Sequence, residues 1–250
     1  MSGHSKWATI KHKKAATDAK RGAVFTKLGR EIMAAAKAGG SNQESNFRLR
    51  AAVQKARSMN MPMTNIENAI KKGTGDIAGV TYDDVTFDAY GPGGVAILVE
   101  GLTDNKNRTT AEVRSALTRK NGSLAGPGAV SFIFDTKGLI AIAKDKIGED
   151  ELMDAALEAG AEDIASDGDM HEVTTDVDSF EAVKKALEDK GLELDSAEVT
   201  KIANTTVKVE GSDAKNLLAL IEVLEDNEDV QNVYANFDIP DEILEQAASN

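Results

Sequence analysis

Fifteen of the chain's 29 Lys and Arg residues lie in its first 75 positions, against only four acids: Asp18, Glu31, Glu44 and Glu67. The other 175 residues carry fourteen basic and 38 acidic side chains, so the net charge of −13 combines a module at +11 with a body at −24. One mixed surface would intersperse the two signs. The partition therefore points to a basic unit joined to an acidic one, with the basic end suited to a polyanion such as nucleic acid.

The hydrophobic period changes near the same place. After a polar, basic arm, Val24, Phe25, Leu28, Ile32 and Ala36 recur at helical spacing until Gly39-Gly40, with Lys20, Lys27, Arg30 and Lys37 on the opposite side. A second helix over about 46–59 buries Leu49, Ala52, Val53 and Ala56; Arg48 and Lys55 flank that stripe on one side, Arg50 and Arg57 on the other. Thr64 and Glu67 read as a capping box, and Gly73 as the stop of a third helix. From about residue 80 the pattern becomes strand-like, with Val85–Ala89 and Val95–Val99 joined by Tyr90-Gly91-Pro92-Gly93-Gly94. A helix over about 109–120 and a strand Val130–Phe134 follow.

Residues 139–203 read β-α-β-β-α-β, the ferredoxin-like order, and 206–237 add β-α-β. Neither flanking block covers a sheet alone, so they are expected to pair across an insertion. The fold class is α+β: an N-terminal three-helix bundle followed by two ferredoxin-like α+β domains, one inserted into the other. The expected units are 1–78, a split domain of 79–134 plus 205–250, and the insert 135–204.

At 41% apolar and 28% charged the chain is globular in composition, and it has no cysteine, which fits a reducing compartment. No apolar run is long enough to span a membrane, and Met1 to Lys14 lacks the apolar stretch of a secretory signal, so a cytoplasmic location is expected. Neither an HExxH helix, a Ser-His-Asp set nor a nucleotide fingerprint is visible; an enzyme is not expected, nor a cofactor. His4 and His12 lack a third ligand for metal.

Candidate binding residues cluster in the basic unit: Lys6, Lys11, His12, Lys13, Lys14, Lys20, Arg21, Lys27, Arg30, Arg48, Arg50, Lys55 and Arg57. On solvated helix faces such side chains neutralise phosphates and release counterions. Trp7, the single tryptophan, either stacks on an exposed base or anchors the arm against the bundle. In the loop Thr103-Asp104-Asn105-Lys106-Asn107-Arg108-Thr109, capping accounts for part of the polarity; Asn105, Asn107 and Arg108 are further contact candidates. Gly91-Pro92-Gly93-Gly94 leads into a strand rather than a helix, so it is a hairpin turn and not a phosphate loop.

Several of these segments are long and unusual. Gly3-His4-Ser5-Lys6-Trp7, Ile10-Lys11-His12-Lys13-Lys14, Asp18-Ala19-Lys20-Arg21-Gly22, Asn46-Phe47-Arg48-Leu49-Arg50, Asn60-Met61-Pro62, Tyr90 to Ala96 and Thr103 to Thr109 resemble the YebC/PmpR family over nearly the whole chain. Ala116 and Ala129 depart from it, in packing more than chemistry. The resemblance implies three domains and a cytoplasmic nucleic-acid-binding regulator, with a DNA-binding transcriptional regulator as the leading expectation. Other members of the family look like ribosome- or RNA-associated translation factors, and one is the mitochondrial translational activator of cytochrome oxidase. A third class, an acidic scaffold that binds protein partners, remains open at this point.

Overall fold

The computed structural model describes Trp7 and residues 18–249. Helices α1 (Asp18–Gly39), α2 (Phe47–Ser58) and α3 (Met63–Thr74) form the bundle around Leu28, Ile32, Leu49, Val53 and Ile66. Buried Asn46 ties the first two together. Its amide donates to the carbonyls of Ala35 (2.8 Å) and Gly40 (2.9 Å), while its side-chain oxygen accepts from Leu49 N–H (3.0 Å) and caps α2. The expected capping box does not form. Helix α3 starts at Met63 after Pro62, which places Thr64 inside the first turn, and the left-handed residue that ends it is Gly75 rather than Gly73. Gly73 instead lets α3 approach α1, since a Cβ there would lie 2.4 Å from the Met33 carbonyl oxygen.

The outer sheet is built on a hairpin of β1 (Asp83–Tyr90) and β2 (Ala96–Thr103), joined by a short 3₁₀ turn at Pro92–Gly94. Two-residue β3 (Ser123–Leu124) pairs with β1, and β9 (Val230–Ala235) pairs antiparallel with β2, giving the order β3-β1-β2-β9. Helices α4 (Lys106–Arg119) and α7 (Gly211–Glu225) cover one face, with Ile97, Val99, Val113, Leu117, Leu217 and Ile221 in the core. On the other face Ala96, Leu98 and Tyr234 pack with Val130 and Phe134. Strand β2 is thus buried on both sides, which is why Val95–Val99 is an unbroken apolar run.

Between them sits a second sheet of β4 (Phe134–Ala143), β5 (Asp163–Asp167), β6 (Met170–Thr175) and β7 (Ser196–Ala203), backed by α5 (Glu149–Glu158) and α6 (Phe180–Asp189). Its order β5-β6-β4-β7 is antiparallel throughout, the ferredoxin-like arrangement. Phe134 and Ala203 are register partners, so the chain enters and leaves this unit side by side and the outer sheet is not pulled apart. The excised segment 135–204 is expected to show a cooperative thermal transition by circular dichroism, and 80–134 alone is not. A stable 80–134 fragment would contradict the split.

Val130–Phe134 is not the expected strand. The Asp88 carboxylate captures the N–H groups of Gly128 (2.6 Å) and Val130 (3.3 Å), and Ser131–Ile133 close a 3₁₀ turn. Thr206–Val209 reduces to β8 (Val207–Lys208), parallel to β10 (Phe237–Asp238). Helix α8 (Asp241–Ser249), for which the sequence pattern had offered no expectation, packs Leu244 into the outer core.

Candidate nucleic-acid interface

Asp229, at the turn before β9, organises the seam between the bundle and the outer sheet. Its carboxylate is 4% exposed and accepts from Thr103 Oγ1 (3.1 Å), Thr109 Oγ1 (2.7 Å), Arg108 (2.6 Å) and Arg30 (2.7 Å). Burial alone would push its pKa up; the hydrogen bonds from Arg108, Thr109 and Thr103 outweigh it and hold the carboxyl below the usual range. Asp229 and Asp104 in turn raise the Arg108 pKa above its ordinary value.

Two members of the basic stripe of α1, Lys27 and Arg30, face this seam and not solvent. Arg30 also contacts the Glu228 carbonyl (2.6 Å) and carboxylate (3.1 Å), and lies 5.2 Å over the Tyr82 ring. Lys27 donates to the Glu225 carbonyl, in the last turn of α7, where the helix dipole favours a cation. Lys37 approaches Asp83 at 4.0 Å, an exposed and weak pair. For Lys27 and Arg30, then, the reading as free phosphate ligands is corrected: the acidic body lies across the face that the sequence pattern assigns to water.

Helix α2 is divided lengthwise. On one side Arg48 binds Glu31 (2.7 Å) and Asp84 (2.8 Å), hydrogen bonds that raise its pKa, and Lys55 pairs with Glu198 (3.0 Å) on β7. On the other side Arg50 donates only to main-chain carbonyls, of Gln43 (3.0 Å) and Glu44 (3.2 Å), and Arg57 is exposed with no side-chain partner among the described residues. Lys71 and Lys72, overlooked as candidates, are exposed at the end of α3 and likewise form no ion pair with a described residue.

Trp7 is 4% exposed and belongs to the core of the outer domain. It is not a free stacking surface. Within the 103–109 loop, Asn105 caps α4 by accepting from Arg108 N–H (3.1 Å), Arg108 is held by Asp104 and Asp229, and Asn107 is exposed. Lys6, Lys11, His12, Lys13 and Lys14, and the side chains of Lys20 and Arg21, lie outside the described residues. Among the described residues no helix is long and apolar enough to cross a membrane, and no three His, Cys, Asp or Glu side chains gather as a metal set.

Residues 5–76 match the family model described as the TACO1/YebC protein N-terminal domain, and 82–237 the TACO1/YebC second and third domain. The chain belongs to the TACO1/YebC family. It is similar to a family relative from Geobacter sulfurreducens, 56% identical over 246 residues covering 98% of this chain and 99% of that one. A second, from Natranaerobius thermophilus, is 55% identical over 248 residues with the same coverage. Both relatives bear the name probable transcriptional regulatory protein. A crystal structure of a conserved hypothetical protein from Aquifex aeolicus superposes with a TM-score of 0.80 at 43% identity, covering 91% of this chain and 94% of that one.

Proposed function

We propose that this TACO1/YebC protein is a nucleic-acid-binding regulator of gene expression that works in the cytoplasm as a DNA-binding transcriptional regulator. The observation that carries the reading is the division of the basic module. One side is neutralised against the acidic body, while Arg50, Arg57, Lys71 and Lys72 keep charges that no described carboxylate balances. Cationic side chains with no internal acid to satisfy them are matched by phosphate. The relatives' names supply the regulatory context.

The test is a mobility-shift assay on the full chain, comparing wild type with a variant carrying Arg57→Glu, Lys71→Glu and Lys72→Glu. The variant is expected to lose affinity on every sequence alike, because phosphate contacts position without specifying. Unchanged binding would remove these three side chains from the function.

A ribosome- or RNA-associated role in translation is favoured by the −24 body, which repels a long duplex laid across the molecule. Competition decides between the two. A DNA site preferred by ~10³ over both random DNA and ribosomal RNA selects transcription, whereas effective competition by structured RNA at physiological salt selects translation.

A further inference from the structure

With Trp7 buried, the exposed aromatic of the bundle is Phe47, 53% accessible at the first position of α2. The Arg50 guanidinium lies 5.3 Å from its ring centroid, a cation–π pair on a helix surface. Two carbonyl acceptors, Gln43 and Glu44, hold that guanidinium in place, so the pair is a preorganised planar surface and not two mobile side chains. Phe47, Arg50, Gln54 and Arg57 follow at i, i+3, i+7 and i+10, on one side of the helix. Gln54 and Arg57 are exposed, and α2 contains no acid. From Phe47 to Arg57 the helix rises about 15 Å, enough for a few nucleotides.

We propose that this side of α2 is a binding site for an unpaired stretch of single-stranded RNA, with one nucleobase stacked on the Phe47–Arg50 pair and the flanking phosphates on Arg50 and Arg57. A ring with its own guanidinium matches the flat, electron-rich face of any base, while a base inside a duplex keeps its faces covered. The exposed amide of Gln54 lies between the two arginines and can hydrogen-bond a base edge or a 2′-hydroxyl. RNA is the strand that routinely presents unpaired bases in loops and bulges. The site deepens the nucleic-acid reading above and rests on it.

The experiment uses the full chain and fluorescence anisotropy with four probes of one length: single-stranded RNA, single-stranded DNA, a blunt duplex, and an abasic strand. Phe47→Ala is expected to weaken single-stranded RNA binding roughly tenfold or more, with duplex and abasic affinities within about twofold of wild type. Phe47→Trp restores or exceeds the wild-type value. An unchanged thermal transition in both variants separates stacking from folding. If Phe47→Ala leaves RNA binding intact, or weakens abasic and base-bearing strands equally, the stacking site is wrong although the nucleic-acid reading stands. Tighter binding of single-stranded DNA than of RNA would overturn the choice of RNA. A wild-type chain that binds none of the four probes overturns the reading itself.

Discussion

Replacing Asp229 by alanine is expected to destabilise the protein by about 1–3 kcal/mol, the cost of leaving buried polar groups without their acceptor. The loss removes the acceptor shared by the guanidiniums of Arg30 and Arg108 and the hydroxyls of Thr103 and Thr109, which converge on one carboxylate 4% exposed, and leaves Glu228 and Asp104 as the remaining carboxylate partners of the two arginines. Asp229→Asn keeps the shape and an acceptor, so it should cost less. The sign of the pH effect follows from the lowered carboxyl pKa. The contribution is complete above the unfolded carboxylate value of about 3.9 and is lost as pH falls through the lower, folded value. Thermal denaturation of wild type and both variants between neutral and acid pH checks this. An Asp229→Ala chain that melts like wild type would show that the seam contributes nothing to stability.

The second large effect is on binding. With ~6 phosphates neutralised, affinity for nucleic acid should fall by roughly 10³ between about 50 and 200 mM salt. Charge reversal at Lys13, Lys14 and Arg21 should flatten that slope, and so should Arg57→Glu. Lys55→Gln should not, because Glu198 already balances Lys55 within the protein. Titrations at four salt concentrations separate the two groups. A slope indifferent to both salt and the reversals would mean that stacking or shape carries the affinity.

The two groups mark where sequence reasoning stops. Periodicity places Lys27, Arg30 and Lys37 on one side of α1, and Arg50 and Arg57 on one side of α2, because helical spacing is local. It does not say which side another domain covers. The usual rule, that a charged side opposite an apolar stripe meets water, fails for α1 because carboxylates some two hundred residues away lie against it. Nothing in the sequence singles out Asp229 from the acids beside it, Asp226 and Glu228, and its partners Thr103 and Thr109 lie in a polar loop more than a hundred residues away. The inserted unit was easier, since its strands and helices close a sheet from contiguous chain. Trp7 was hard for the opposite reason: the core it joins is assembled from residues between Ala89 and Leu244, far from it in sequence.

The pairing of β2 with β9 also sets an order of events during synthesis. Strand β2 ends at Thr103 and its partner begins at Val230, so the outer sheet stays incomplete while the bundle and the inserted sheet already possess every element they need. Distant pairings close last. Glu225, Glu228 and Asp229, the groups that receive Lys27 and Arg30, belong to that late segment. A growing chain therefore carries the Lys27 and Arg30 side of α1 open, even after Arg48 has met Glu31 and Asp84, and that side shuts only once residues 225–229 have been added.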